Sequence, residues 1–199
     1  MDLSAASPRL FFVVILAAAL LGGCPLHAGD GRLYVGWAAA DITPSQPVAL
    51  VGQLHKRISV AVQDPLTATV LALETRDDGG RKEQAVMISC DLLFIRARTQ
   101  ERLRHKVSAG LPDLDVSKLF LTATHSHTAP GLLDNEFKGL YDLRDDPGVL
   151  RPSEFEALFI DRVSAAVVRA WQARRPGGFS WGLGHAVLGH NRRTVKTDG

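Results

Sequence analysis

Residues 119–131 of the chain are LFLTATHSHTAPG, in which an apolar run passes directly into two histidines separated by a single serine. The run LFL predicts a short buried strand, because β-prone residues are bounded downstream by Pro130 and Gly131. His125 and His127 are therefore expected where this strand gives way to a loop. In extended chain, residues two apart point to the same side, so both imidazoles should face one space if that geometry continues.

The two histidines have two interpretations. Neutral imidazole is a common zinc ligand, and the hydroxyls of Thr124, Ser126 and Thr128 can supply hydrogen bonds that orient such ligands. The alternative is a pair of polar histidines at the mouth of a loop, because His-x-His constrains only two positions. The spacing by itself leaves both open.

Composition is typical of a folded globular protein. The chain has 199 residues, 46% hydrophobic and 22% charged, which corresponds to about one domain on the usual length scale. Its formal net charge is +2, and its basic residues are interleaved with acidic ones. This charge distribution gives no support for a nucleic-acid partner.

Residues 1–28 resemble an export signal. Arg9 precedes an apolar stretch at residues 10–21, which has the length of a signal peptide and is short for a membrane span. Cleavage is expected either before Cys24, where residues 21–24 resemble a bacterial lipobox, or after Ala28. The protein is thus predicted to be exported: periplasmic, secreted, or lipid-anchored at Cys24. Residues 29–199 remain as the folded part.

Cys90 and Asp91 end a second apolar run. Cys90 follows residues 85–89, AVMIS, so we expect a buried structural thiol rather than a nucleophile. Asp91 is either a site residue at a strand end or a cap of the next turn. Asp41, before Ile42-Thr43-Pro44, is expected to bond backbone N–H groups of the turn that follows.

The remaining pattern predicts an α/β fold with a mixed, layered sheet and flanking helices. Strands are predicted at residues 33–40, 66–75, 84–90 and 179–188, and helices at 99–109 and 153–173. The second and third strands should form a hairpin around the turn at residues 77–80. Ser153 is the expected N-cap of the second helix, with Glu156 completing a capping box. Residues 45–65 are predicted to be irregular, and residues 132–151 are predicted to form a solvated lid.

Three stretches occur in the order known from one enzyme family. Residues 35–44, VGWAAADITP, resemble the N-terminal Val-Gly-x-x-x-Ala-Asp-Ile-Thr signature of neutral/alkaline non-lysosomal ceramidases. Residues 124–131, THSHTAPG, resemble the family's Thr-His-Thr-His-Ser-Gly-Pro-Gly run, and Asn191-Arg192 resembles the start of its Asn-Arg-Ser run. The resemblance extends over nearly all of residues 29–199.

The resemblance implies a zinc-dependent amidohydrolase that cleaves N-acylsphingosine (ceramide) into sphingosine and a fatty acid. His125 matches a zinc-ligand histidine, while His127 and Arg192 match catalytic residues. The implied partner is a lipid substrate such as ceramide, met at a membrane surface through the substrate or a lipid anchor. The expected fold is the N-terminal part of a ceramidase-like catalytic domain.

The match to the family has departures. Thr128, Ala129, Leu132 and Arg193 differ from the usual residues, which leaves another amide or ester open as the substrate. The family's other zinc ligands and its serine nucleophile are expected beyond Gly199, so the chain is expected to be an N-terminal portion. Two alternatives remain: a non-catalytic or truncated surface lipoprotein with this fold, and a metal-dependent hydrolase of the TIM-barrel type. The barrel would need ~250 residues.

Overall fold

The computed structural model describes residues 31–134, 136–137 and 139–189. The predicted export signal, Cys24 and Arg192 lie outside these residues. The strands are β1 (Arg32–Asp41), β2 (Ala49–Leu50), β3 (Arg57–Ile58), β4 (Thr67–Arg76), β5 (Lys82–Cys90), β6 (Leu119–Ala123) and β7 (Arg175–Pro176). The helices are α1 (Ala97–Gly110) and α2 (Pro152–Gln172), with a 3₁₀ turn at Val116–Lys118.

Five strands form one mixed sheet in the order β6-β5-β4-β1-β7. The β5–β6 pair is parallel, whereas β1–β4, β4–β5 and β1–β7 are antiparallel. The predicted hairpin is confirmed, and its turn is closed by the Asp77 carboxylate, which accepts from Arg81 N at 2.7 Å. The predicted fold class is therefore confirmed, and the TIM-barrel interpretation is wrong for the described chain, because a barrel requires a closed ring of parallel strands.

The sheet has one covered and one open face. Both helices pack on the covered face, where alternate residues such as Val70 and Ile88 are buried. α2 approaches β1 so closely that a Cβ at Gly36 would lie 2.1 Å from the Ala170 carbonyl oxygen. The glycine of the VGWAAADITP stretch is therefore required by packing. Trp37 and Met87 stand on the open face, 72% and 53% exposed.

The start of α2 differs from the prediction. Arg151 is the N-cap, and its backbone N–H donates to the Glu154 carboxylate at 2.8 Å. Glu156, assigned to the capping box from sequence, is instead 1% exposed and accepts from Thr99 Oγ1 at 2.6 Å and from Arg102. Glu156 thus joins the two helices, because a buried carboxylate requires partners that offset its desolvation.

Two strand predictions need correction. Residues 179–188 form no strand. Within the described chain, the short β7 is the last segment that pairs with the sheet. Gly182 and Gly184 disfavour a strand in this segment, and no strand of the described chain lies beside it to pair with one. β6 exists as predicted but is an edge strand with Phe120 half exposed, so it is buried only on its Leu119 side.

Asp41 ends β1 as expected. Its carboxylate accepts from Thr43 N at 2.7 Å, and the hydrogen bonds from Thr43 hold the pKa of Asp41 below its ordinary value. The Thr43 hydroxyl in turn accepts from Leu66 N at 2.8 Å, which links the end of β1 to the chain entering β4.

Among the described residues, no helix is long and apolar enough to span a bilayer.

Candidate functional site

The histidine loop leaves the sheet at the end of β6. After Ala123, Thr124 N donates to Cys90 O at 2.9 Å and Ser126 N donates to Leu92 O at 3.0 Å. The loop therefore runs beside the chain that follows β5, and these two backbone bonds fix the residues on either side of His125. The predicted location of the motif, at a strand-to-loop boundary, is confirmed.

His125 has a left-handed backbone with φ of +67°. This conformation is uncommon outside glycine, and such strain persists only where surrounding contacts impose it. The His125 Nδ1 lies 3.0 Å from Leu93 O. Because a carbonyl oxygen can only accept, Nδ1 carries the proton in this bond, and in the neutral form of the ring Nε2 is then the nitrogen with the lone pair.

His127 lies beside His125, although for a different reason from the predicted one. The ring centroids are 5.0 Å apart with planes at 71°. Extended geometry does not continue through the motif, because the chain turns at His125. The condition for alignment by alternation, a continuous extended chain, is thus not met, while the proximity of the two imidazoles is confirmed. The turn and the contacts of each ring produce that proximity.

Residues 52–57 contact both the ring and the backbone of His127. A Cβ at Gly52 would lie 2.7 Å from His127 Nδ1, so the ring rests on the bare glycine backbone. Arg57 Nη2 donates to His127 O at 2.7 Å, and Val51 N donates to Ala129 O at 3.0 Å. The prediction that residues 45–65 are irregular is wrong at β2 and β3, which pair with each other. Nothing local to this segment indicates a contact with residues some 75 positions later.

Asp91 positions the loop. One carboxylate oxygen accepts from Thr67 N at 3.0 Å, and the other accepts from Thr124 Oγ1 at 3.2 Å. Neither bond is to the turn that follows, so the hydrogen bonds of Asp91 do not support the interpretation that it caps that turn. Asp91 joins the start of β4 to the residue before His125, and its observed hydrogen bonds reach neither imidazole.

Cys90 is a buried structural thiol, as predicted. It is fully buried, and burial, with a smaller contribution from the Asp91 charge, raises its pKa to about 12. A thiol with that pKa is almost entirely protonated at neutral pH and is a poor nucleophile.

The described residues of the acidic loop at 132–151 are exposed or half-buried except for Leu132, as expected of a solvated loop, but several of its carboxylates are held by other residues. Asp134 accepts from Ser153 N at 3.1 Å, Asp142 pairs with Arg144, and Asp146 pairs with Lys56. Each of these carboxylates thus has a protein partner.

The described chain holds no complete metal site. No group of three or more His, Cys, Asp or Glu side chains within residues 31–134, 136–137 and 139–189 could hold a metal ion. The Nδ1 of His125 is anchored to the Leu93 carbonyl oxygen, which is how histidines are commonly oriented when their other ring nitrogen binds zinc. The donor chemistry of this residue fits the metal that the sequence resemblance implies.

Comparison with known proteins supports the fold. No protein-family model and no curated protein sequence matches the chain. The crystal structure of neutral ceramidase from Pseudomonas aeruginosa matches with a TM-score of 0.56 and 20% identity, covering 74% of this chain and 23% of that one. A ceramidase complexed with C2 matches with a TM-score of 0.57 and 21% identity, covering 74% of this chain and 22% of that one.

The matched region thus spans less than a quarter of the length of these solved ceramidases. The ceramidase resemblance carried by the motifs is confirmed at the level of the fold: the chain is similar in structure to one part of neutral ceramidase.

Proposed function

We propose that the chain contributes the histidine loop of a zinc-dependent, ceramidase-like amidohydrolase acting on N-acylsphingosine or a related N-acyl amide. The observation that carries this proposal is the hydrogen bond of the His125 ring. Its Nδ1 proton is held by Leu93 O, which leaves Nε2 available beside His127. This arrangement occurs on a fold shared with part of neutral ceramidase.

His125 would hold the zinc through Nε2, and further ligands would have to join it, because zinc sites typically use roughly three or four protein ligands. A zinc ion in such a site polarises a carbonyl group and lowers the pKa of bound water. The backbone of His125 is already constrained by the hydrogen bonds of Thr124 and Ser126, so the ligand is held in place before metal arrives.

His127 would donate a proton to the amide nitrogen as the C–N bond breaks, because an imidazole can both accept and donate protons. Its ring rests on Gly52 and its carbonyl is held by Arg57, so both its backbone and its side chain are oriented. Arg192 would stabilise negative charge on the carbonyl oxygen. That role rests on the sequence resemblance, because Arg192 lies outside the described residues.

The test measures zinc content and hydrolysis of a fluorescent N-acylsphingosine in the complete product of the gene. We expect His125→Ala to lose both zinc and turnover. We expect His127→Ala to retain most of the zinc while kcat falls by about 10²–10⁴-fold, as for a lost general acid or base. We expect Arg192→Ala to retain most of the zinc while kcat falls by about 10²–10³-fold, as for a lost group that stabilises the oxyanion. His105→Ala is the matched control, because His105 is an exposed histidine on α1.

Retention of stoichiometric zinc and normal turnover in His125→Ala would refute the assignment. Unchanged turnover in His127→Ala would remove its catalytic role. The 199-residue chain alone is expected to bind zinc weakly and to show little activity, because His125 is the one ligand assigned within it. Tight zinc binding without hydrolysis of any N-acyl amide would favour a non-catalytic protein with this fold.

Export remains part of the proposal. The motivation is the pattern of Arg9, the apolar residues 10–21 and Cys24 or Ala28. Mass spectrometry of the mature N-terminus distinguishes the branches: a diacylglyceryl mass on Cys24 indicates a lipoprotein, and an N-terminus after Ala28 indicates a periplasmic or secreted protein. An intact Met1 on cytoplasmic protein would refute export.

A further inference from the structure

Tyr141 ties the 132–151 loop to residues 52–57. Its hydroxyl accepts from Gly52 N at 3.0 Å and donates to Gln53 O. Its ring packs edge-on against Phe137, with centroids 5.0 Å apart and planes at 88°. One phenol hydroxyl, held by a packed ring, therefore satisfies backbone groups of two consecutive residues that belong to no regular element.

Lys56 strengthens the same attachment. Its ammonium group pairs with Asp146 and donates to Asp142 O at 2.8 Å. The two loops are thus joined at both ends of residues 52–57, by the Tyr141 hydroxyl at Gly52 and by the Lys56 ammonium group four residues later.

The same segment is also in contact with His127. Gly52 lies against the His127 ring, and Arg57 holds the His127 carbonyl. Gly52 has φ of +97° and no side chain of its own to restrain it. A displacement of its backbone would therefore change the surface on which the His127 ring rests, and with it the contact between His127 and His125.

We propose that Tyr141 is a positioning residue for the histidine pair: its hydroxyl fixes the Gly52 backbone, and the Gly52 backbone fixes the orientation of the His127 ring. This inference deepens the proposed function and rests on it only for its effect on turnover. The geometric part concerns Gly52 and His127 alone.

The test compares Tyr141→Phe with Tyr34→Phe by NMR of the labelled protein. Tyr34 is the matched control, because it lies on β1 at the end of the sheet away from the histidine loop, over Arg76. In Tyr141→Phe we expect the Gly52 amide to exchange about tenfold faster, as for one lost hydrogen bond. We also expect loss of the cross-relaxation signal between the His125 and His127 rings. Tyr34→Phe should leave both signals unchanged.

Persistence of the ring-to-ring signal and of Gly52 protection in Tyr141→Phe would overturn the inference. Loss of the whole native spectrum in that variant would also overturn it, because the hydroxyl would then support the fold and not the site. A selective loss confined to residues near Gly52 and His127 supports it.

Turnover separates this inference from the proposed function. In an active protein, Tyr141→Phe should lower kcat for the fluorescent N-acylsphingosine by about tenfold with zinc content unchanged, because His125 is not moved by the change. If the unmodified protein does not hydrolyse the substrate while the NMR changes occur as expected, the proposed function fails and the role of Tyr141 stands. If turnover is present but Tyr141→Phe alters neither spectrum nor kcat, the role of Tyr141 fails alone.

Discussion

Replacement of Gly52 by alanine tests the packing of the histidine site most directly. The new Cβ would lie 2.7 Å from His127 Nδ1 and 2.8 Å from His127 Cγ, closer than real Cβ contacts. The backbone at Gly52, with φ of +97°, also disfavours any residue with a side chain. One of the two groups must move, and the His127 ring is the one that can rotate about its side-chain torsions.

Two contributions to the loss of stability in Gly52→Ala can be separated. The left-handed backbone costs alanine about 1–2 kcal/mol. If His127 were unable to move, the collision would add about 1–3 kcal/mol, as for overpacking. We expect rotation of His127, so that the strain dominates the loss and Tm falls by roughly 2–8 °C. The released ring should then lose its contact with His125.

Gly80→Ala provides the matched control. Gly80 has a similar φ of +81°, but a Cβ there meets nothing within 4 Å. Thermal unfolding of both variants should show comparable falls in Tm, whereas the ring-to-ring NMR signal should disappear only in Gly52→Ala. In an active protein, turnover should fall only in Gly52→Ala. Retention of the ring contact in Gly52→Ala would refute the argument that this glycine supports His127.

Three further predictions concern stability and reactivity. Asp41→Ala should cost about 1 kcal/mol in chemical denaturation, as for a lost cap at Thr43, and leave turnover of the folded protein intact; loss of turnover at unchanged stability would contradict this. Burial raises the pKa of Glu74, but hydrogen bonds from Arg76 and Arg174 outweigh it and hold the pKa below its ordinary value. The contribution of Glu74 to stability is therefore present above its unfolded pKa of about 4.3 and lost as pH falls through its folded value. Denaturation at pH 7 and pH 3 should accordingly show that the stability difference between the unmodified protein and Glu74→Gln shrinks at pH 3, and a constant difference would refute it. Cys90 should react with a thiol reagent at pH 8 only after denaturant is added, because burial raises its pKa to about 12; rapid labelling of the native protein would contradict this.

Local patterns in the sequence determined most of the layered framework. The turn at residues 77–80 joins two β-prone runs, and Asp77 closes it through a hydrogen bond to Arg81, four residues away. The apolar residues of α2 recur at helical spacing, and this local pattern corresponds to the face of the helix that is buried. The histidine motif could be placed at a strand end for the same reason, because each of these signals depends on residues close together in the chain.

Tertiary structure alone decided how the site is assembled. The Gly52–Tyr141 hydrogen bond joins residues 89 positions apart, and the Glu156–Thr99 bond joins residues 57 positions apart. No local pattern encodes such pairs, which explains why the capping box was assigned to the wrong glutamate and why residues 52–57 carried no predicted role. The left-handed turn at His125 likewise depends on Cys90, Leu92 and Leu93, whose carbonyl groups hold Thr124, the Ser126 amide and the His125 ring. A backbone conformation that is unfavourable in isolation is stable here because contacts from a neighbouring segment of the fold outweigh its local cost.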